Sequence, residues 1–191
     1  MRRKRAAPPI ILRLRVSLAE VEPPVWRRIE LAYDASFWEL HVAIQDAMGW
    51  KDVHPHVFRA PRPGSREIDE IGIPQDDAAG TAAPIAPGWE TPIVAYLCRD
   101  GDAAEYVYDF DDDWIHDVIV EWSGPPEPKV SFPRCIAGSG ACPSEDCGGP
   151  AAYRDWLARA GPAFDPRAFD PSARRFSNAA ARLKRRLSRD R

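Results

Sequence analysis

Residues 11–49, ILRLRVSLAEVEPPVWRRIELAYDASFWELHVAIQDAMG, decide the fold. Leu12, Leu14, Val16 and Leu18 alternate with Arg13, Arg15 and Ser17, the two-residue period of a strand with one buried face. Pro23-Pro24 turns the chain and Val25–Ala32 reads as a second strand, so the pair forms a hairpin. Ser36 and Glu39 stand at capping-box spacing, where each side chain satisfies a free amide at a helix start. Phe37, Leu40, Ile44, Ala47 and Met48 follow at helical spacing, and Gly49 suits the left-handed position that ends a helix. The spacing predicts a helix over 37–48.

Further along, His54–Arg59 reads as a strand with His54, His56 and Phe58 on one face. Residues 60–92 are rich in Pro, Gly, Ala and Asp and predict a long irregular excursion. Tyr106, Tyr108 and Phe110 start a second hairpin. It turns at Asp111–Asp113 and returns with Trp114, His116, Val118, Val120 and Trp122 on one face. A Cys-bearing loop spans Pro133–Pro150, and Pro150 suits the first turn of a helix to about Ala160. A last helix over 172–189 directs Phe176, Ala180, Leu183 and Leu187 inward. The expected class is α+β, one domain with a ββα start, a curved mixed sheet and C-terminal helices. Residues 1–9 form a basic tail, 10–180 the domain and 181–191 the basic end of the last helix.

Bulk composition narrows the functional classes. At 191 residues, 45% hydrophobic and 29% charged, the chain fills one core and is not disordered throughout. No apolar run approaches the ~20 residues that cross a bilayer. The basic start is followed by an apolar segment interrupted by Arg13 and Arg15, unlike a secretory signal. A cytoplasmic location with reduced thiols is therefore expected, and no membrane partner. Net charge is −3, but residues 29–166 carry 25 acids against nine Lys and Arg, while both ends are basic. A nucleic acid would meet attraction at the ends and repulsion from the body. The plainer alternative is that the ends neutralise the body.

The blocks PPVWRRIEL (23–31), AMGW (47–50), HPHVF (54–58), YVYDFDDDWIH (106–116), PRCIAGSGACPSEDCGGPAAY (133–153) and FDPRAFD (164–170) occur in the order seen in plasmid pRiA ORF-three-like proteins. The chain resembles that family over about residues 10–180. Its members are often described as passenger TnpR-like proteins of insertion elements. The resemblance implies an α+β fold whose start is ubiquitin-like, with a curved sheet around the first helix. It also implies a mobile-element-associated binding or accessory protein, with no established activity. The chain contains no serine-recombinase catalytic block. Asp111 stands where the family typically has Gly, so the resemblance does not carry over the usual turn geometry: Gly readily takes positive φ and Asp does so less easily.

Three sets of residues could carry chemistry. Cys135, Cys142 and Cys147 could ligate Zn²⁺, with His116, or next His54 or His56, as the fourth ligand in a tetrahedral site. The alternative is packed thiols under an ordered loop. His54, His56, Asp109, Asp112 and His116 could converge on a cation that activates water in a metal-dependent hydrolase, or could decorate a solvated acidic turn. Arg182, Lys184, Arg185 and Arg186 on the last helix could grip phosphates, aided by Trp26-Arg27-Arg28, or could be an ordinary solvated face. The possible partners are thus a protein or a nucleic acid. P-loop, nucleophile-elbow, H-E-x-x-H and strand-linked dinucleotide motifs are absent.

Overall fold

The structure, a computed structural model, describes residues 10–74 and 84–189. The basic tail at 1–9, residues 75–83 of the excursion and residues 190–191 lie outside the described residues. The chain forms an α+β domain on one open, eight-stranded mixed sheet. In chain order the elements are β1 (Ile11–Leu18), β2 (Trp26–Ala32), α1 (Phe37–Met48), β3 (His56–Pro61), β4 (Ile68–Gly72), β5 (Ala86–Pro87), β6 (Ala103–Tyr108), β7 (Trp114–Gly124), β8 (Arg134–Ser139), α2 (Gly149–Arg159) and α3 (Ala179–Arg189). Across the sheet they run β5-β4-β3-β6-β7-β1-β2-β8. Every pairing is antiparallel except β4 with β5. No helix among the described residues is long and apolar enough to cross a membrane.

The opening hairpin and helix form as their pattern dictates. Leu12, Leu14 and Val16 of β1 and Ile29 and Leu31 of β2 face α1 and are buried. Ser36 Oγ accepts from Glu39 N, and the Glu39 carboxylate accepts from Ser36 N at 2.8 Å. Gly49, at φ 90°, donates its amide to the Gln45 carbonyl and stops the helix. Replacing Ser36 with Ala should cost about 1 kcal/mol and lower Tm by roughly 2–4 °C, measured by thermal unfolding. A loss within error would mean that tertiary packing alone fixes this helix start.

Packing supplies what the cap does not. Phe37, Leu40, Ala43, Ile44 and Ala47 are fully buried between helix and sheet. Aromatic contacts continue along the sheet, with Phe37 against Phe58 at 5.0 Å and Phe58 against Tyr106 at 4.6 Å between ring centroids. The opposite sheet face carries interleaved Arg, Trp and Glu. Glu30 is wholly buried there and is bound by Arg13 of β1 and Arg134 of β8, one guanidinium from each neighbouring strand.

Five expectations change. His54 precedes β3 instead of sharing its inward face, because the strand begins at His56. The 60–92 excursion contains β4 and β5; β4 is five residues long with Asp69 and Glu70 in its centre, and only pairing with β3 makes it a strand. A register shift opposite Arg13/Leu14 makes Glu121 an extra residue, so Trp122 turns to the outer face beneath Arg13. The cysteine loop begins as edge strand β8, antiparallel to β2. The last helix starts at Ala179, because Asn178 bonds the Ala181 amide through its side chain and caps there; Pro171–Ala173 is a single 3-10 turn. The Asp111 substitution is accommodated, since the left-handed residues of that turn are Asp109 (φ 61°) and Asp113 (φ 55°).

Candidate functional site

Three distant segments meet beyond the C-terminal end of α1: residues 50–54, the β6–β7 turn and residues 141–149. Trp50 is the floor. Its ring stacks on Tyr108 at 5.2 Å, lies near Trp114 and His116, and its indole donates to the Pro143 carbonyl at 2.9 Å. Four consecutive amides above it are all taken by side chains. Lys51 N donates to Glu145, Asp52 N to Gln45, and Val53 N and His54 N to the Tyr108 hydroxyl. The Tyr108 hydroxyl donates in turn to Glu145. Burial, reinforced by the Glu145 carboxylate, pushes the Tyr108 phenol well up, so it remains a donor. Glu145 therefore pins the cysteine segment to the 51–54 loop.

The next residue, Asp146, faces His54. Its Oδ1 lies 2.7 Å from His54 Nε2, and Asp109 Oδ2 lies 3.3 Å from the same nitrogen. Asp109 Oδ1 accepts from the amides of Asp111 and Asp112, which leaves Oδ2 turned to the imidazole. Burial by itself lowers the His54 pKa, but the Asp146 hydrogen bond and the charges of Asp109, Asp146 and Glu145 outweigh it and raise it. Asp112 Oδ2 accepts from Gly148 N at 3.0 Å and ties the acidic turn to the start of α2. Gly149, at φ 78°, leaves no room for a Cβ, which would sit 2.6 Å from the Asp112 carbonyl oxygen.

A cleft of about 960 Å³ opens beside this cluster, lined among others by Arg27, Lys51, Cys142, Asp146, Phe169 and Arg174. Arg27 is its fixed wall. Nε donates to the Ala47 carbonyl at the end of α1, Nη1 to Trp26 and Ser139, and Nη2 to Gly140, while the guanidinium lies 3.8 Å from the Phe169 ring centroid.

The residues expected to bind zinc are not brought together. Among the described residues, no three His, Cys or carboxylate ligand atoms within 4.8 Å of one another include a cysteine. Cys135 lies on β8 and approaches the Ala137 carbonyl; Cys142 and Cys147 line a separate cavity of about 480 Å³ with Tyr153 and Trp156. Burial pushes the Cys142 thiol up to about 12 and raises Cys135 and Cys147. His116 is enclosed; its Nδ1 faces the Tyr106 and Trp114 carbonyls and must carry the proton, and burial lowers its pKa to about 4. Of the expected hydrolytic set, only His54 and Asp109 reach the open cluster.

A second cluster, which the sequence did not reveal, lies under α3. His41 Nδ1 accepts from the Tyr106 hydroxyl, which itself accepts from Gln45, and His41 Nε2 donates to Asp52. His56 stacks on His41 at 3.6 Å with planes 7° apart. Ring nitrogens coordinate in their own plane, so one cation cannot lie in both parallel planes. Despite its two imidazoles and a carboxylate, this cluster is a hydrogen-bonded core rather than a metal cage. Arg182 is committed to it through Asp46 at 2.9 Å and Asp52 at 3.0 Å, while Lys184 and Arg185 are exposed. Trp26 lies against the guanidinium groups of Arg15 and Arg28, Arg28 is paired with Glu121, and Arg27 is buried, so that trio offers no open phosphate grip.

Known proteins are similar to this chain in structure and in sequence. The crystal structure of MM3350, a protein of unknown function from Methanosarcina mazei Go1, superposes with a TM-score of 0.80 at 30% identity, covering 90% of this chain and 100% of that one. The uncharacterized protein y4hQ of Sinorhizobium fredii (strain NBRC 101917 / NGR234) is 31% identical over 156 residues, 81% of this chain and 76% of that protein. Neither name carries an activity. The family profile described as plasmid pRiA4b ORF-3-like protein matches residues 10–174, and the chain belongs to that family.

Proposed function

We propose that the chain is a binding module that holds a divalent cation at His54, Asp109 and Asp146 and presents it to a ligand in the adjoining cleft. The observation that carries this reading is the convergence of one imidazole and two carboxylates from three segments, with ligand atoms all within 4.8 Å. One nitrogen and two oxygen donors suit Mn²⁺ or Zn²⁺, and three protein ligands leave positions for water or a ligand atom. Asp146, 74% exposed in its side chain, belongs both to the cluster and to the cleft wall.

Calorimetric titration of chelator-stripped, untagged protein with Mn²⁺ and Zn²⁺ tests it. One site per chain is expected, with Asp109→Asn weakening it about tenfold or more. A chain that takes up neither ion, or an Asp109→Asn variant that binds as well, contradicts the proposal. The pH dependence has a definite sign. His54 is protonated below its raised pKa, so a cation must displace that proton, and affinity should rise from pH 6 to pH 8 by up to about tenfold per unit. Without cation the sign reverses: the stability His54 contributes is full below about 6.5 and fades as pH rises through its folded pKa. Affinity that is flat across this range excludes His54 as a ligand.

A further inference from the structure

The helix α3 is tied to the domain by a set of polar bonds. The Trp38 indole donates to the Ala179 carbonyl at 2.8 Å, and Asp46 accepts from Ser177 N and from Arg182. Leu187, on the same helix, is left 37% exposed. The connection that reaches furthest is the Arg182 Nη2 contact with Asp52 Oδ2. Asp52 is the hinge of the 51–54 loop. It sits at φ 60°, a conformation that L-residues other than Asn and Asp rarely adopt, and it is held there by His41 on one oxygen and Arg182 on the other.

The same loop has a second side. Lys51 N donates to Glu145 and Val53 N to the Tyr108 hydroxyl, and His54 follows directly. Grip on Asp52 from α3 is therefore transmitted over two residues of backbone to His54. The physical warrant is a short rigid path: four hydrogen-bonded amides in a row leave the loop little freedom to absorb a shift at Asp52 without moving His54.

We propose that α3 is a regulatory strap on the cation site, with Arg182 as the positioning residue that locks the 51–54 loop and thereby His54. The inference rests on the cation reading above. With α3 docked, the His54, Asp109 and Asp146 ligand atoms are held together. With α3 released, Asp52 loses its ionic partner, the loop relaxes and the cation is held less tightly. By reciprocity, bound cation favours docking of α3.

The test uses the full chain as wild type, Arg182→Ala, Arg182→Lys and Arg185→Ala, read by Mn²⁺ titration and by amide exchange of residues 51–54. Arg182→Ala should weaken Mn²⁺ about tenfold and speed exchange at 51–54 while β1 and β7 stay protected. Arg182→Lys, which keeps one charge near Asp52, should recover part of the affinity. Arg185→Ala, exposed on the same helix, should match wild type. Unchanged Mn²⁺ affinity in Arg182→Ala, with residues 177–189 losing their protection, overturns the strap. Should Arg182→Ala also lose protection across β1 and β7, Asn178→Ala carries the test, since it removes the side-chain cap on the Ala181 amide at the start of α3. For that variant, looser α3 with weaker Mn²⁺ supports the strap and looser α3 with unchanged Mn²⁺ overturns it. Wild type that takes up no Mn²⁺ refutes the cation reading itself, a different outcome from either.

Discussion

Arg27→Met is expected to lower the unfolding midpoint by roughly 10 °C. Methionine replaces the aliphatic stem but none of the donors. The carbonyls of Ala47, Ser139 and Gly140 then lose a charged partner in the interior. Each buried acceptor left unpaired costs about 1–3 kcal/mol, and together on the order of 3–5 kcal/mol. The Phe169 ring also loses the guanidinium it covers. The neighbouring Arg28→Met is the internal comparison. Arg28 pairs with Glu121 on the outer face with both side chains partly in water, and such pairs contribute about 0–1 kcal/mol. Two adjacent arginines should thus differ several-fold in cost by thermal unfolding. Equal losses would show that Arg27 is not the clamp between α1, β2 and the cysteine segment.

Glu145→Ala is expected to have the second large effect, because it acts on stability and on the site together. Removing the carboxylate strands Lys51 N and the Tyr108 hydroxyl, at about 2–4 kcal/mol in all. It also unpins residues 141–149 from the 51–54 loop, so Asp146 no longer faces His54 at a fixed distance. Mn²⁺ affinity should fall by about tenfold or more, although residue 145 is not itself a ligand in the proposed set. Glu145→Gln keeps an oxygen for Lys51 N and should recover most of the stability. An Ala variant that is destabilised yet binds Mn²⁺ like wild type would separate the anchor from the site and remove Glu145 from its architecture.

The parts of this molecule that follow from local pattern were legible in the sequence. The β1–β2 hairpin, α1 with its Ser36/Glu39 box and Gly49 stop, and the β6–β7 hairpin each carry a periodicity that one segment suffices to establish. What failed depends on partners far along the chain. β4 is too short and too charged to announce itself, and β8 hides among Gly, Ala and Cys until β2 pairs with it. Trp122 leaves its expected face because a single extra residue reverses the alternation.

The site followed the same division. His54 and Asp109 stood out because imidazole and carboxylate on adjacent motifs suggest a cation. Asp146 was hidden beside the cysteines, which drew the metal assignment to themselves by their chemistry alone. Glu145, Asp52, His41 and Gln45 gave no signal, since their roles lie in contacts 7 to 94 residues distant in sequence. Arg27 read as part of a Trp26-Arg27-Arg28 run that could grip phosphates; the closure of β8 and the 166–169 segment over β2 makes it interior.

Anomalous diffraction from crystals of the full chain grown with Mn²⁺ tests the central claim most directly. A single strong peak is expected about 2.1 Å from His54 Nε2, Asp109 Oδ2 and Asp146 Oδ1, at the rim of the cleft. A peak beside Cys142 and Cys147, or no peak at His54 with Mn²⁺ in excess, would contradict it.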